Sequence, residues 1–165
     1  MTDDIPHLTH VDEDGHPRMV DVTGKAETSR TAVAEGHVRM TSEALDAIAT
    51  GRTPKGDVLQ VARIAAITGG KKTSDLIPLC HALPGMSLSV DVEPDPALPG
   101  VRIRVEARVA GQTGVEMEAL TAVTIGLVTV YDMVKAIDRT MRIGGIRLLS
   151  KTGGASGDWT APATD

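Results

Sequence analysis

Gly111 to Asp138 reads GQTGVEMEALTAVTIGLVTVYDMVKAID. A Gly-Gln-Thr-Gly turn opens it, and from Val115 onward the only glycine or proline is Gly126. Apolar residues at Leu120, Val123, Leu127, Val130 or Tyr131, and Val134 keep the three-and-four spacing of a helix that buries one stripe. Ionisable groups gather at its ends, Glu116 and Glu118 at the start, Asp132 and Lys135 near the finish. The face through Glu118, Ala122, Ile125, Thr129, Asp132 and Lys135 is otherwise small and apolar. Solvated helix faces usually carry charge at many positions, so the pattern predicts a lined pocket. The simpler alternative is an i,i+3 ion pair between Asp132 and Lys135 at the surface.

On the N-terminal side of this helix the pattern changes period. Leu88, Val90 and Val92 alternate with Ser89, Asp91 and Glu93, then a proline-rich loop intervenes. Val101, Ile103, Val105, Ala107 and Val109 alternate with Arg102, Arg104, Glu106 and Arg108. Two strands of a hairpin with one wet face follow. Further back, Thr31 to Met40 predicts a strand with Ala32, Ala34, Val38 and Met40 on one face. A short helix over Glu43 to Thr50 is capped by Thr41 or Ser42, and another over Val58 to Thr68 by Asp57, with Gly69-Gly70 as its stop. Beyond the long helix, Met141 to Leu149 predicts a last strand, bulged at Gly144-Gly145.

This order predicts an α+β fold, a ferredoxin-like βαββαβ sandwich with an antiparallel sheet. Such a sheet leaves one face uncovered by its own helices, and oligomerisation through that face or an edge is expected. Residues 1–18, acidic and without period, form a loose arm; 19–150 form the single domain; 151–165 form a Gly/Ser-rich loop and tail.

At 165 residues the chain fits one domain with a real core. That core must be aliphatic: Tyr131 and Trp159 are the only aromatics besides histidine. A net charge of −5 and the missing stacking platforms argue against nucleic acid as partner. Cys80, the single cysteine, excludes an internal disulfide. No apolar run is expected to cross a membrane, no signal region opens the chain, and cytoplasm is the expected compartment.

Several groups could carry chemistry. Lys55, in the turn Thr53-Pro54-Lys55-Gly56 before a helix, could reach a phosphate at that helix end or simply sit in solvent. Leu76 to Leu83, LIPLCHAL, is the most apolar loop, so Cys80 and His81 are expected in core or pocket wall. Adjacent residues point apart, so these two alone make no catalytic pair or chelate, and a buried structural Cys80 is the sober reading. His7, His10 and His16 in the arm are expected to be solvated rather than metal ligands. Lys151, followed by Gly153-Gly154 and Ser156-Gly157, could offer a cation and backbone amides to phosphates, or begin a flexible tail. Three lysines, carboxylates in an apolar setting and two glycine turns suit a phosphate-bearing substrate undergoing proton transfer.

The chain closely resembles the MoaC family, the cyclic pyranopterin monophosphate synthases of molybdenum cofactor biosynthesis. The strings that carry this resemblance run from Leu8-Thr9-His10 and Met19-Val20-Asp21-Val22 through Lys55-Gly56-Asp57-Val58 and Leu76 to His81. They continue through Thr113 to Ala122, Tyr131-Asp132-Met133, Lys135-Ala136, Lys151, Gly153-Gly154 and Ser156-Gly157. The resemblance implies a lyase that rearranges a cyclised dihydroguanosine triphosphate into a pterin bearing a cyclic phosphate, with release of diphosphate. It implies Asp132 as catalytic acid/base, with Lys55 and Lys135 driving proton transfer. Leu79, Cys80, His81, Glu116, Met117 and Glu118 would surround the substrate, and Lys25, Arg30 and Lys151 would hold phosphates. It further implies a homohexamer built from dimers, no resident metal or cofactor, and Mg²⁺ only as a companion of the triphosphate. Three departures stand out: Ala82 after the histidine, Thr68-Gly69-Gly70 in a helix, where shortening is expected, and Ala155 in the terminal glycine loop.

Overall fold

The computed structural model describes residues 14–19, 24 and 26–163. Most of the expected N-terminal arm, with His7 and His10, therefore lies outside the described residues, as do Val20 to Val22 and Lys25. The elements are β1 (Thr28–Arg39), α1 (Ser42–Ala49), α2 (Val58–Lys71), α3 (Thr73–Leu76), β2 (Ser87–Asp95), β3 (Gly100–Gly111), α4 (Glu116–Val134), β4 (Arg142–Thr152) and β5 (Trp159–Thr160). They form an α+β structure with one five-stranded sheet in the order β2-β3-β1-β4-β5, antiparallel at every pairing.

Alternation along the strands sets the two faces. Ala32, Ala34, Gly36 and Val38 of β1 lie beside Ala107, Val105, Ile103 and Val101 of β3, all buried. α4 packs over this face: a Cβ on Gly36 would meet Val123 and Leu127 at 2.9 Å. The opposite face carries Glu35, His37, Arg102, Arg104 and Arg147 around an open cavity of about 470 Å³. It is the wet face that the hairpin pattern predicts. The expected bulge in β4 is present, since the register with β1 slips between Glu35–Arg147 and His37–Gly144. Gly145 takes a positive φ of 62° there, a conformation that suits only glycine.

The caps follow local chemistry. The Thr41 hydroxyl accepts from Ala44 N, and the Asp57 carboxylate accepts from Gln60 N at 3.0 Å, satisfying free amides at the starts of α1 and α2.

Gly69-Gly70 does not stop α2. The helix runs on to Lys71, and the shortening expected from Thr68-Gly69-Gly70 does not occur. Glycine costs a helix about 1 kcal/mol per residue, but that penalty is set by local freedom alone. Here the absence of side chains lets α2 approach α4. A Cβ on Gly69 would stand 2.7 Å from Cβ of Ile125, and one on Gly70 3.2 Å from Cβ of Ala122. Gly126 of α4 returns the favour, facing Ala66 and Ile103. The aliphatic core is closed by this near-contact of backbones rather than by large rings.

α4 is therefore buried on two sides, not along one stripe. Ala119, Ala122, Val123, Gly126, Leu127 and Val130 are all buried. The small apolar face packs against α2 at Ala122 and Ile125. This helix also corrects the expectation about membrane length. Its 19 residues are long and apolar enough to cross a bilayer, yet 56% of the window is buried inside the protein, as in a core helix.

The C-terminal segment is more ordered in its pairing than a tail. β4 continues through Lys151 and Thr152, which lie opposite Ala32 and Thr31. Trp159 then returns to pair with Lys151 as β5. The Gly/Ser run between them is the turn of this last hairpin.

Candidate functional site

The ends of α4 organise two groups of side chains. At its C-terminal end Asp132 lies between two lysines. Lys55 Nζ donates to Oδ2 at 2.6 Å and Lys135 Nζ stands 2.8 Å from Oδ1. Lys135 follows at i+3 on the same helix, while Lys55 arrives from the turn before α2. Together Lys135 and then Lys55 hold the Asp132 carboxyl down at about 2. The simpler reading of the pair is thus half right: an i,i+3 ion pair exists, but a third group completes it. All three side chains are near half exposed, with Asp132 at 52%, so this end is not the apolar setting expected for it.

At the N-terminal end the loop before α4 is tied to β1 and β4. The Arg30 guanidinium donates to the carbonyls of Gly111 at 2.9 Å and Gln112 at 3.1 Å. Lys151 lies 3.4 Å from Glu116 and donates to the Ser156 hydroxyl at 2.6 Å. Gly153 and Gly154 both take positive φ, and a Cβ on Gly154 would collide with the Arg30 guanidinium. Arg30, Gly114, Glu116, Lys151, Gly153 and Ser156 line a small cavity of about 120 Å³. Two cations, the Glu116 carboxylate and glycine backbone thus meet beside the start of α4. Ser156 belongs to the Gly/Ser run singled out in the sequence, and its hydroxyl meets the Lys151 ammonium.

Beside the same end lies the apolar loop. Glu118 is 4% exposed, and burial pushes its carboxyl above the usual range, with Glu116 adding to the rise. Cys80 is partly buried rather than a core residue; burial, then the Glu118 charge, push its thiol up. Those two groups are therefore electrostatic neighbours. His81 is half-buried, and Leu79 and Met117 are exposed, so LIPLCHAL is a surface wall and not core.

The structure thus brings together Lys55, Asp132 and Lys135, and separately Arg30, Glu116 and Lys151, with Cys80 near Glu118. It does not bring the two sets together. α4 is unbroken, and the fourteen residues from Glu118 to Asp132 rise ~21 Å. Asp138, buried just past α4, went unnoticed in the sequence. Its carboxylate accepts from Thr41 N at 2.9 Å and from Thr140 N and Oγ1 at 2.7 Å. Burial opposes its ionisation, but these bonds outweigh it and keep the carboxyl below its ordinary value. The Asp-Arg-Thr spacing, an Asx turn, is the signal that marks it. Among the described residues no group of three His, Cys, Asp or Glu could hold a metal.

Comparison with known proteins places these groups in context. The profile of the MoaC family matches residues 19–154. A cyclic pyranopterin monophosphate synthase of Jannaschia sp. is 56% identical over 158 residues, 96% of this chain and 97% of that protein. The protein of the same name from Brucella ovis is 57% identical over 152 residues, 92% of each chain. One from Nostoc sp. is 54% identical over 157 residues, 95% of this chain and 94% of that protein. With a matching profile over most of its length and relatives this close end to end, the chain belongs to the MoaC family.

Proposed function

We propose that the protein is a cyclic pyranopterin monophosphate synthase. It converts (8S)-3',8-cyclo-7,8-dihydroguanosine 5'-triphosphate into cyclic pyranopterin monophosphate and diphosphate, within molybdenum cofactor biosynthesis. The observation that carries this reading is that Lys55, Asp132 and Lys135 gather at one end of α4, and Arg30, Lys151 and the glycine turn at the other. Ring opening and pterin closure require protons to be moved near neutral pH, which suits Lys55, Asp132 and Lys135. Formation of the cyclic phosphate expels diphosphate, whose charge suits Arg30, Lys151 and the glycine backbone; the family resemblance adds Lys25, which lies outside the described residues. Leu79, Cys80, His81, Glu116, Met117 and Glu118 then enclose the ring system. Mg²⁺ would come with the triphosphate as part of the substrate.

One nucleotide cannot touch both ends of one α4, so the working site is built from two chains. A two-fold axis setting α4 against its partner would bring Glu118 of one subunit toward Asp132 of the other. Exposed apolar residues on the helical layer support such a contact: Ile64 of α2 at 65%, Leu76 of α3 at 52% and Val128 of α4 at 49%. Three such dimers would give the homohexamer typical of the family resemblance. We further read the fold as ferredoxin-like, because its first four strands run β2-β3-β1-β4 with α2 and α4 on one face. The reaction belongs in the cytoplasm, where nucleoside triphosphates are supplied.

Incubation with the cyclised triphosphate and assay of released diphosphate tests the function. Turnover at a rate typical of enzymes is expected. Tight binding without diphosphate release would overturn the enzyme reading in favour of a nucleotide sensor.

A further inference from the structure

The turn that carries Lys55 is exposed at every position but one. From Ala49 to Asp57 only Thr53 is buried, at 8% exposure. Its hydroxyl donates to the Gly56 carbonyl at 2.5 Å, while Gly56 N returns to the Thr53 carbonyl at 3.2 Å. The four residues Thr53-Pro54-Lys55-Gly56 are thus closed twice, by backbone and by side chain. Pro54 removes rotation about its own φ, and Gly56 supplies the positive φ of 88° that lets the chain leave the turn. On either side the chain is anchored as well. Arg52 N donates to Ala47 O at 2.8 Å, and Asp57 caps α2.

Lys55 reaches from this turn to Asp132 of α4. A lysine side chain carries many rotamers, and on a mobile loop its ammonium would be spread over a wide volume. Fixing the backbone beneath it holds the Cα in place, so that only the rotamer remains to be selected by the contact with Asp132. Valine matches threonine in size, so burial alone would not demand a hydroxyl here. The hydrogen bond to Gly56 does.

We infer that Thr53 is a positioning residue that sets Lys55 against Asp132 through its bond to the Gly56 carbonyl. The inference rests on the proposed role of Lys55, and its test separates the two. Thr53→Val should lower kcat about tenfold while KM moves less than about twofold, because geometry and not binding is lost. Thr53→Ser, which keeps the hydroxyl, should restore most of the rate. A second reading needs no turnover at all. In protein carrying ¹³Cε-labelled lysine, the Lys55 signal, identified by its absence in Lys55→Arg, should shift toward free lysine in Thr53→Val. It should stay in place in Thr53→Ser. Should Thr53→Val fail to fold, the smaller Thr53→Ala is read in the same two ways. An unmoved Lys55 signal and a wild-type kcat in the hydroxyl-free variant would overturn the inference. A shifted signal in a protein that never turns over would uphold the positioning role and count against the reaction alone.

Discussion

Lys55 and Asp132 meet at 2.6 Å although 77 residues separate them in the chain. The contact joins the turn before α2 to the end of α4, and neither side chain belongs to the core. Replacing Lys55 or Lys135 by alanine should therefore cost more than tenfold in kcat, as expected for general acid–base groups. Assembly and melting temperature should stay close to wild type. Activity above about a tenth of wild type in either variant would remove that lysine from the proton-transfer set.

Mixing separates a shared site from a private one. Glu118→Gln and Asp132→Asn should each be inactive alone. After reversible dissociation and re-pairing, half the dimers are mixed, and each mixed dimer holds one intact site of two. Activity should return to about a quarter of wild type. Fully exchanged mixtures that stay dead would show that each chain serves its own site.

Glu118 gives a pH signature with a definite sign. Its folded carboxyl titrates above the unfolded value, roughly 4.3, so ionisation is disfavoured in the folded state. Stability is therefore lost as pH rises through that unfolded value, and the loss is complete above the folded one. Glu118→Gln should melt higher than wild type at pH 7, and the advantage should vanish near pH 4. Thermal melts of both proteins across this range check the sign. An advantage that grows on acidification would contradict it.

Two opposing effects meet at Gly69. Alanine should gain about 1 kcal/mol of helix propensity there. Its Cβ, however, would stand 2.7 Å from the branched Cβ of Ile125, which cannot swing away. Overpacking of this kind costs about 1–3 kcal/mol, so Gly69→Ala should destabilise on balance. Denaturant midpoints decide the sign. Ile125→Ala keeps that Cβ and removes only the Cγ contacts, at 2.7 and 3.1 Å, so pairing it with Gly69→Ala should leave most of the loss in place.

Alternation along β2 and β3 was legible because those strands face core on one side and water on the other. The length of α4 was legible too, and with it the distance between Glu118 and Asp132. Gly69-Gly70 misled because helix propensity is local, whereas the partner that stabilises the glycines, Ile125 and Ala122, lies over fifty residues away. For Lys151 and Thr152 the glycines that follow leave a phosphate loop and a flexible tail equally open in the sequence. Their strand conformation comes from pairing with Thr31 and Ala32. The contact of Lys55 with Asp132 leaves no periodic trace; two isolated charged residues meet only once the helices are packed. Thr53, a polar residue in a polar turn, gave no local sign of its burial.

The chain has a single tryptophan, and Trp159 sits on β5 directly opposite Lys151. Indole emission responds to nearby charge and solvent, and this residue is 43% exposed opposite Lys151. With no phenylalanine and one tyrosine elsewhere, the fluorescence of the native protein is nearly all reported from that one spot. The molecule thus contains an intrinsic optical probe paired across the sheet with Lys151. Arrival of an anionic ligand should be visible by direct titration, without label, radioisotope or coupled assay.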